Sequence, residues 1–275
     1  MNAWFPPGAD PVEQAALVPG IPVWIDKPVA DWVGQNITGV YGEMTLQFLT
    51  EWDVAMRNDP PVARRMEDQR PEMLWHSLDE NDQVALVDFV LFTSARAQSK
   101  NEKESLEGIL RAGGSEWSVG KRAGQVGLEK RVPQGVADAA EAVMGTASTA
   151  GALLSEAWHA AFGRGPDPEE AYEKAIKAVE EAGAGVVSPK NVRASLGTMA
   201  RDMESQGNWS LPLGEDSKHP SASAPYMMVQ ALWAGQESRH GGNSYRKPTP
   251  EEAEAAVLLA VPLVQWFTSA VLARR

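Results

Sequence analysis

Arg239 and His240 stand side by side where a helix-forming run, Leu232-Trp233-Ala234-Gly235-Gln236-Glu237-Ser238, meets Gly241-Gly242. Asn243, Ser244, Tyr245, Arg246 and Lys247 follow. Nowhere else in the sequence do a histidine, several cations and a backbone break converge. Free carbonyls at a helix C-terminus favour the imidazolium form of a histidine. A guanidinium is always charged and forks onto phosphate. A histidine that shuttles a proton, beside a cation that steadies a phosphorane, is the minimum needed for metal-free RNA cleavage. His240 is therefore the candidate general acid or base and Arg239 the candidate phosphate stabiliser. Arg246 and Lys247 are candidate contacts to the nucleic-acid backbone. A plainer reading stands beside this one: cations in a last turn bond its carbonyls, and a glycine just past it ends the helix.

Other chemistries find little support. The remaining histidines, His76, His159 and His219, form no pair at helical metal-ligand spacing, so no metal site is expected. No Gly-rich loop ends in Lys-Ser or Lys-Thr, and no Gly-x-Ser-x-Gly elbow occurs, so neither a nucleotide cofactor nor a serine hydrolase is indicated. The chain has no cysteine, which removes disulfides, thiolate metal sites and a thiol nucleophile. Its net charge of -12 repels nucleic acid overall, so any RNA contact needs a local basic patch. One such island is Lys121, Arg122, Lys130 and Arg131. Those residues suit a phosphate-facing surface (Lys121, Arg122 and Arg131 above all) or the charged edge that keeps a hairpin from aggregating.

The elements that must hold these residues are mostly helices. Met1 to Pro28 is dense in proline and glycine and reads as an irregular arm carrying Trp4, Phe5 and Trp24. Helices are expected over 43–56, 81–98 and 103–112. Ser115-Glu116-Trp117-Ser118-Val119 and Leu128-Glu129-Lys130-Arg131-Val132 read as a hairpin with a long turn over 120–127. The rest is helical: 136–161 with glycines at 145 and 151, then 167–182 stopped by Gly183-Ala184-Gly185, then 191–206 and 221–240. Asp167-Pro168-Glu169-Glu170 and Thr249-Pro250-Glu251-Glu252 are strong helix starts, with an N-cap, a proline at N1 and an acid at N3. The final helix is apolar on nearly every face from Ala255 to Leu263, which marks it as central or as half of a homodimer contact.

Three pieces of this C-terminal sequence occur together in a known group. They are Asp167-Pro168-Glu169-Glu170-Ala171-Tyr172 leading to Ala175, Ala178, Val179 and Glu180; Pro189-Lys190-Asn191 with Leu196-Gly197-Thr198; and Leu232-Trp233, Gln236 and Arg239-His240-Gly241, closing on Leu263-Val264 and Trp266-Phe267. Together with the hairpin, over about residues 81–275, they resemble the C-terminal domain of abortive-infection-like proteins of bacteria and their phages. That domain is similar to the HEPN class of helical domains. The resemblance implies metal-independent RNA cleavage by a homodimer. The class places its arginine before the histidine with four to six residues between them. Here those positions fall on Gly235, Ala234 and Trp233, and Arg239 is adjacent to His240 instead. Neighbours on a helix point about 100° apart, so the pair converges on one phosphate only if the helix unwinds at Gly241.

The expectation is a mainly α protein: an N-terminal arm and helical region over 1–110, a hairpin connector over 111–133 and a HEPN-like bundle over 134–275. It is expected to be cytoplasmic, without a leader or a membrane span. Its expected role is phage defence with RNA as partner. The alternative is a non-catalytic protein that dimerises or docks a protein partner.

Overall fold

The computed structural model describes residues 16–38, 46–66, 69, 71–122, 125–207, 209–213, 223–235 and 246–274. The fold is mainly α, with twelve helices among these residues and a small antiparallel hairpin. The chain divides into two compact units, Met1–Arg131 and Val132–Arg275.

In the N-terminal unit a 3-10 turn, Val23–Ile25, leads into α1, Asp26–Ile37. The irregular arm therefore ends two residues before Pro28. That proline lies in the first turn of α1, where its missing N–H would have had no helical partner. Val29, Trp32, Val33 and Ile37 recur at helical spacing and are buried. The indole of Trp32 donates to the Glu102 carbonyl at 3.0 Å.

α2, Leu46–Met56, buries Phe48, Leu49 and Trp52. The short helices α3, Val62–Arg65, and α4, Pro71–His76, follow. The Asp53 carboxylate caps α3, accepting from Val62 N at 2.7 Å and Ala63 N at 2.8 Å. α5, Glu80–Thr93, starts at Asp79, whose side chain accepts from Asp82 N. Val84, Leu86, Val87, Val90 and Leu91 put α5 at the centre of this unit. α6, Lys100–Ala112, is capped by Ser99 and buries Leu106 and Leu110.

β1, Trp117–Arg122, pairs antiparallel with β2, Gln125–Lys130, in the register Trp117↔Lys130 to Arg122↔Gln125. Pairing continues to Arg122 and Gln125, so only two residues lie between the strands, where the sequence suggested eight. The flanking helices supply acceptors to hairpin N–H groups. Glu107 on α6 accepts from Val119 N at 2.9 Å, and Asp88 on α5 accepts from Leu128 N at 2.8 Å. The hairpin is part of the N-terminal unit's core, with Leu128 fully buried.

The C-terminal unit begins with α7, Gln134–Met144, and α8, Thr149–Phe162. The expected helix over 136–161 is broken in two. Gly145 closes α7, and Ser148 restarts the chain by accepting from Gly151 N at 3.0 Å. α9, Pro168–Val187, opens as expected: Asp167 accepts from Glu169 N and Glu170 N. It then runs through the predicted stop. A Cβ at Gly183 would lie 2.4 Å from Met199 Cε and 3.0 Å from the Phe267 ring. The missing side chain lets neighbouring helices close on α9.

Those neighbours are α10, Leu196–Gln206, and α12, Pro250–Thr268; α11, Ser223–Ala234, packs on both. β3, Trp209–Ser210, pairs with β4, Ala273–Arg274, near the chain end. Ala253, Ala256, Val257, Ala260, Leu263, Val264 and Phe267 of α12 are buried within the unit itself. Leu258 is its one exposed large apolar residue.

Glu180 on α9 fastens α10. Its carboxylate accepts from Leu196 N, the first residue of that helix. Burial raises the acid's pKa above the ordinary glutamate range, against the lowering pull of the Leu196 hydrogen bond and of Lys177. A raised folded value means the folded state binds the proton more tightly. The resulting stabilisation is full below the ordinary range and fades as pH rises through the folded value. Glu180→Gln keeps an acceptor for Leu196 N without a charge to desolvate. Its stability relative to wild type should climb from acid to neutral pH in urea titrations. A flat difference would contradict this account.

Candidate functional site

The described structure frames the Arg239-His240 segment from both sides; Arg239 and His240 themselves lie outside the described residues. α11 delivers the chain to Ala234 and Gly235. The buried phenol of Tyr172, on the first turns of α9, donates to the Leu232 carbonyl at 3.1 Å. A Cβ at Gly235 would lie 2.3 Å from that hydroxyl, so any side chain there would have to displace the phenol. Trp233 lies over Gly197 at the start of α10, where a Cβ would come within 2.5 Å of the indole.

On the far side the chain re-enters at Arg246. Its guanidinium forks onto Glu252, Nη1 to Oε2 at 2.8 Å and Nη2 to Oε1 at 2.9 Å. Glu252 also accepts from Thr249 N, completing a capping box with the Thr249 side chain. Arg246 first, and the Thr249 N–H second, pull the Glu252 pKa down to about 2. This carboxylate is therefore ionised across the physiological range. Lys247 Nζ lies 3.2 Å from Glu169 Oε2. Glu169 and Tyr172 are three residues apart on α9, so one turn of that helix meets the chain before and after 236–245.

These contacts define what the candidate cations do. Arg246 and Lys247 face carboxylates, and a phosphate would compete with Glu252 and Glu169 for them. Arg131 sits in the N-terminal unit, largely enclosed. Its Nη1 lies 2.7 Å from Glu107 Oε1, Nη2 donates to the Trp117 carbonyl at 2.7 Å, and Nε to the Ser115 carbonyl at 3.3 Å. That geometry locks the hairpin to α6. Lys121 and Arg122 take the last two positions of β1, opposite Val126 and Gln125. The structure thus brings Arg246 and Lys247 to one place and sets Arg131 among hairpin carbonyls.

Among the described residues no group of three His, Asp or Glu side chains could hold a metal ion. His76 ends α4 on the surface. His159 Nε2 lies 3.3 Å from Ser155 Oγ, one turn back along α8. No described helix is long and apolar enough to cross a membrane.

The chain matches no family model, no curated protein and no solved structure. Its function must therefore be argued from residues and geometry. Sequence reasoning missed two members of the frame, Glu169 and Tyr172. Their signal was present: both fall at helical spacing just after the Asp167 cap.

Proposed function

We propose that this is an abortive-infection-type phage-defence protein whose HEPN-like C-terminal bundle cleaves RNA without a metal, working as a homodimer. The observation that carries the reading is the frame around residues 236–245. Tyr172 and Glu169 on α9, with Glu252 on α12, fasten the chain on both sides of Arg239-His240. A general acid or base acts only when held within hydrogen-bond reach of its proton. Anchoring both ends on rigid helices serves that need. In this reading His240 moves the proton and Arg239 meets the phosphate. Arg246 and Lys247 hold the segment through Glu252 and Glu169.

The second reading is a non-catalytic protein that binds itself or a protein partner. The engagement of Arg131, Arg246 and Lys247 with acids of the same chain favours it.

Expression of wild type and His240→Ala in a bacterium, with total RNA inspected, separates the two. Wild type is expected to cleave RNA, and the variant to lose at least 100-fold of that activity, on the order of a lost general acid–base catalyst. Thermal stability should barely change. Cleavage should persist in EDTA. Full activity in His240→Ala, or activity lost in chelator and restored by metal, would overturn the RNA-cleaving reading.

A further inference from the structure

Three cations of the C-terminal unit differ from those that pair within the chain. Lys190 and Arg193, in the loop between α9 and α10, and Arg201, on α10, are exposed. Among the described residues no carboxylate or carbonyl engages their side chains. The acids around them are committed elsewhere. Glu180 accepts from Leu196 N, Asp202 from the Ser188 hydroxyl, and Glu204 from the Tyr226 hydroxyl. Glu181 is exposed on α9 and pairs with none of the three. Arg131, Arg246 and Lys247 are the contrary case, each held by a carboxylate of its own chain.

Local structure fixes where these cations stand. Asn191 folds the loop, accepting from Arg193 N at 3.1 Å through its side chain and from Ala194 N at 3.1 Å through its carbonyl. Ser195 then caps α10. α10 and α11 run antiparallel: Trp233 lies over Gly197, and Tyr226 bonds Glu204, so the end of each helix meets the start of the other. Arg201 falls between those two contacts on α10, one turn and roughly 6 Å along the axis from Gly197. Arg193 lies just before the cap, at the end of α10 that receives Trp233. Trp233 is in the last turn of α11, which leads into the Arg239-His240 segment. The three cations thus follow the α10 edge where α11 delivers the chain to that segment.

A chain with a net charge of -12 meets a polyanion only through cations that its own acids have not taken. A guanidinium forks onto phosphate, and an ammonium meets it as a point charge. Cations spaced along one edge suit the repeating phosphates of a single strand. We propose that Arg193 and Arg201, with Lys190 in the same loop as Arg193, are the phosphate contacts that hold single-stranded RNA against the α10–α11 edge. The inference rests on RNA as the ligand in the reading above, not on its cleavage.

The test is equilibrium binding of a short fluorescent single-stranded RNA to the full chain across a salt series. His240→Ala serves as the background, because in that reading it keeps the RNA intact. Arg193→Ala with Arg201→Ala should weaken binding about tenfold or more. The slope of log affinity against log salt should fall by about 1.4, on the order of 0.7 for each phosphate contact on a single strand. The melting temperature should not move, since neither side chain bonds the fold. Arg193→Lys with Arg201→Lys keeps the charge count and should keep the slope. Arg57→Ala with Arg64→Ala removes the same charge from two exposed, likewise unpaired arginines of the N-terminal unit, and should leave affinity and slope unchanged. Failure to bind RNA, unchanged binding in the Arg193→Ala, Arg201→Ala protein, or an equal loss in the Arg57 and Arg64 control would overturn the proposal. Binding that depends on Arg193 and Arg201, in a protein whose wild type never cuts RNA, would leave these contacts standing and reject the catalytic reading. His240-dependent cleavage with RNA binding indifferent to Arg193 and Arg201 would do the reverse.

Discussion

Trp52→Ala is expected to cost the N-terminal unit about 3–5 kcal/mol, the range for deleting a large buried aromatic. Trp52 is 1% exposed on α2. Its ring meets Phe89 of α5 edge-on at 5.3 Å, and Phe89 takes Phe48 in the same way at 5.5 Å. Removing the indole leaves a hole between two helices already fixed by neighbouring contacts, so the site cannot collapse fully. A loss of this size is a large part of the roughly 5–15 kcal/mol that holds a typical domain folded. The indole N–H of Trp52 has no hydrogen-bond acceptor among the described residues, so its contribution is packing. Trp52→Phe should therefore be the milder change: it keeps a ring against Phe89 and removes the unbonded donor. Urea titration with hydrogen exchange resolved along the chain would check this. Protection should fall across α2 and α5 and stay near wild type in α9 and α12. A cost below about 1 kcal/mol for the alanine variant would show that α2 is not part of the unit's core.

The parts of the fold that were legible in the sequence are those set by local chemistry. Asp167 followed by Pro168 and two glutamates determines a helix start almost alone, because the cap, the fixed φ and the acids act within one turn. Thr249 with Glu252 does the same. The mistakes fall where distant residues decide. Gly183 looked like a stop because glycine is a poor helix former. It is instead the point where Met199 and Phe267 approach α9, and neither is near it in sequence. Pro28 seemed to forbid a helix, yet it occupies the first turn of α1, where proline is tolerated. The hairpin's short connection was hidden because Lys121, Arg122, Gln125 and Val126 do not alternate in hydrophobicity. Pairing there follows from the backbone ladder.

For the candidate site the sequence offered residue types and not their arrangement. Residue types located Arg239, His240, Arg246 and Lys247. Spacing could not show that Arg246 and Lys247 face Glu252 and Glu169, because those pairs join segments that meet only in the folded chain. The same holds for Arg131. A cation within a basic island looks like a phosphate contact until its carbonyl partners are known.

Arg131 gives the second large effect and separates these two roles. Arg131→Ala is expected to destabilise the N-terminal unit by about 3 kcal/mol, the lower end for breaking a buried pair, because both side chains retain some exposure. Glu107 would lose its enclosed partner and keep Arg111, at 3.0 Å and more exposed. The Trp117 and Ser115 carbonyls would lose their donors as well. Arg131→Lys should recover only part of the loss, since one ammonium cannot span a carboxylate and two carbonyls held in a fork. A phosphate contact predicts the opposite pattern: lysine would substitute well, alanine would leave the melt unchanged, and only RNA affinity and its salt dependence would fall. Thermal melts of the three proteins, beside RNA binding at two salt concentrations, therefore assign the residue. Loss of stability ordered alanine, lysine, wild type makes Arg131 the clamp between hairpin and α6. Unchanged melts with weakened RNA binding would return it to the nucleic-acid surface.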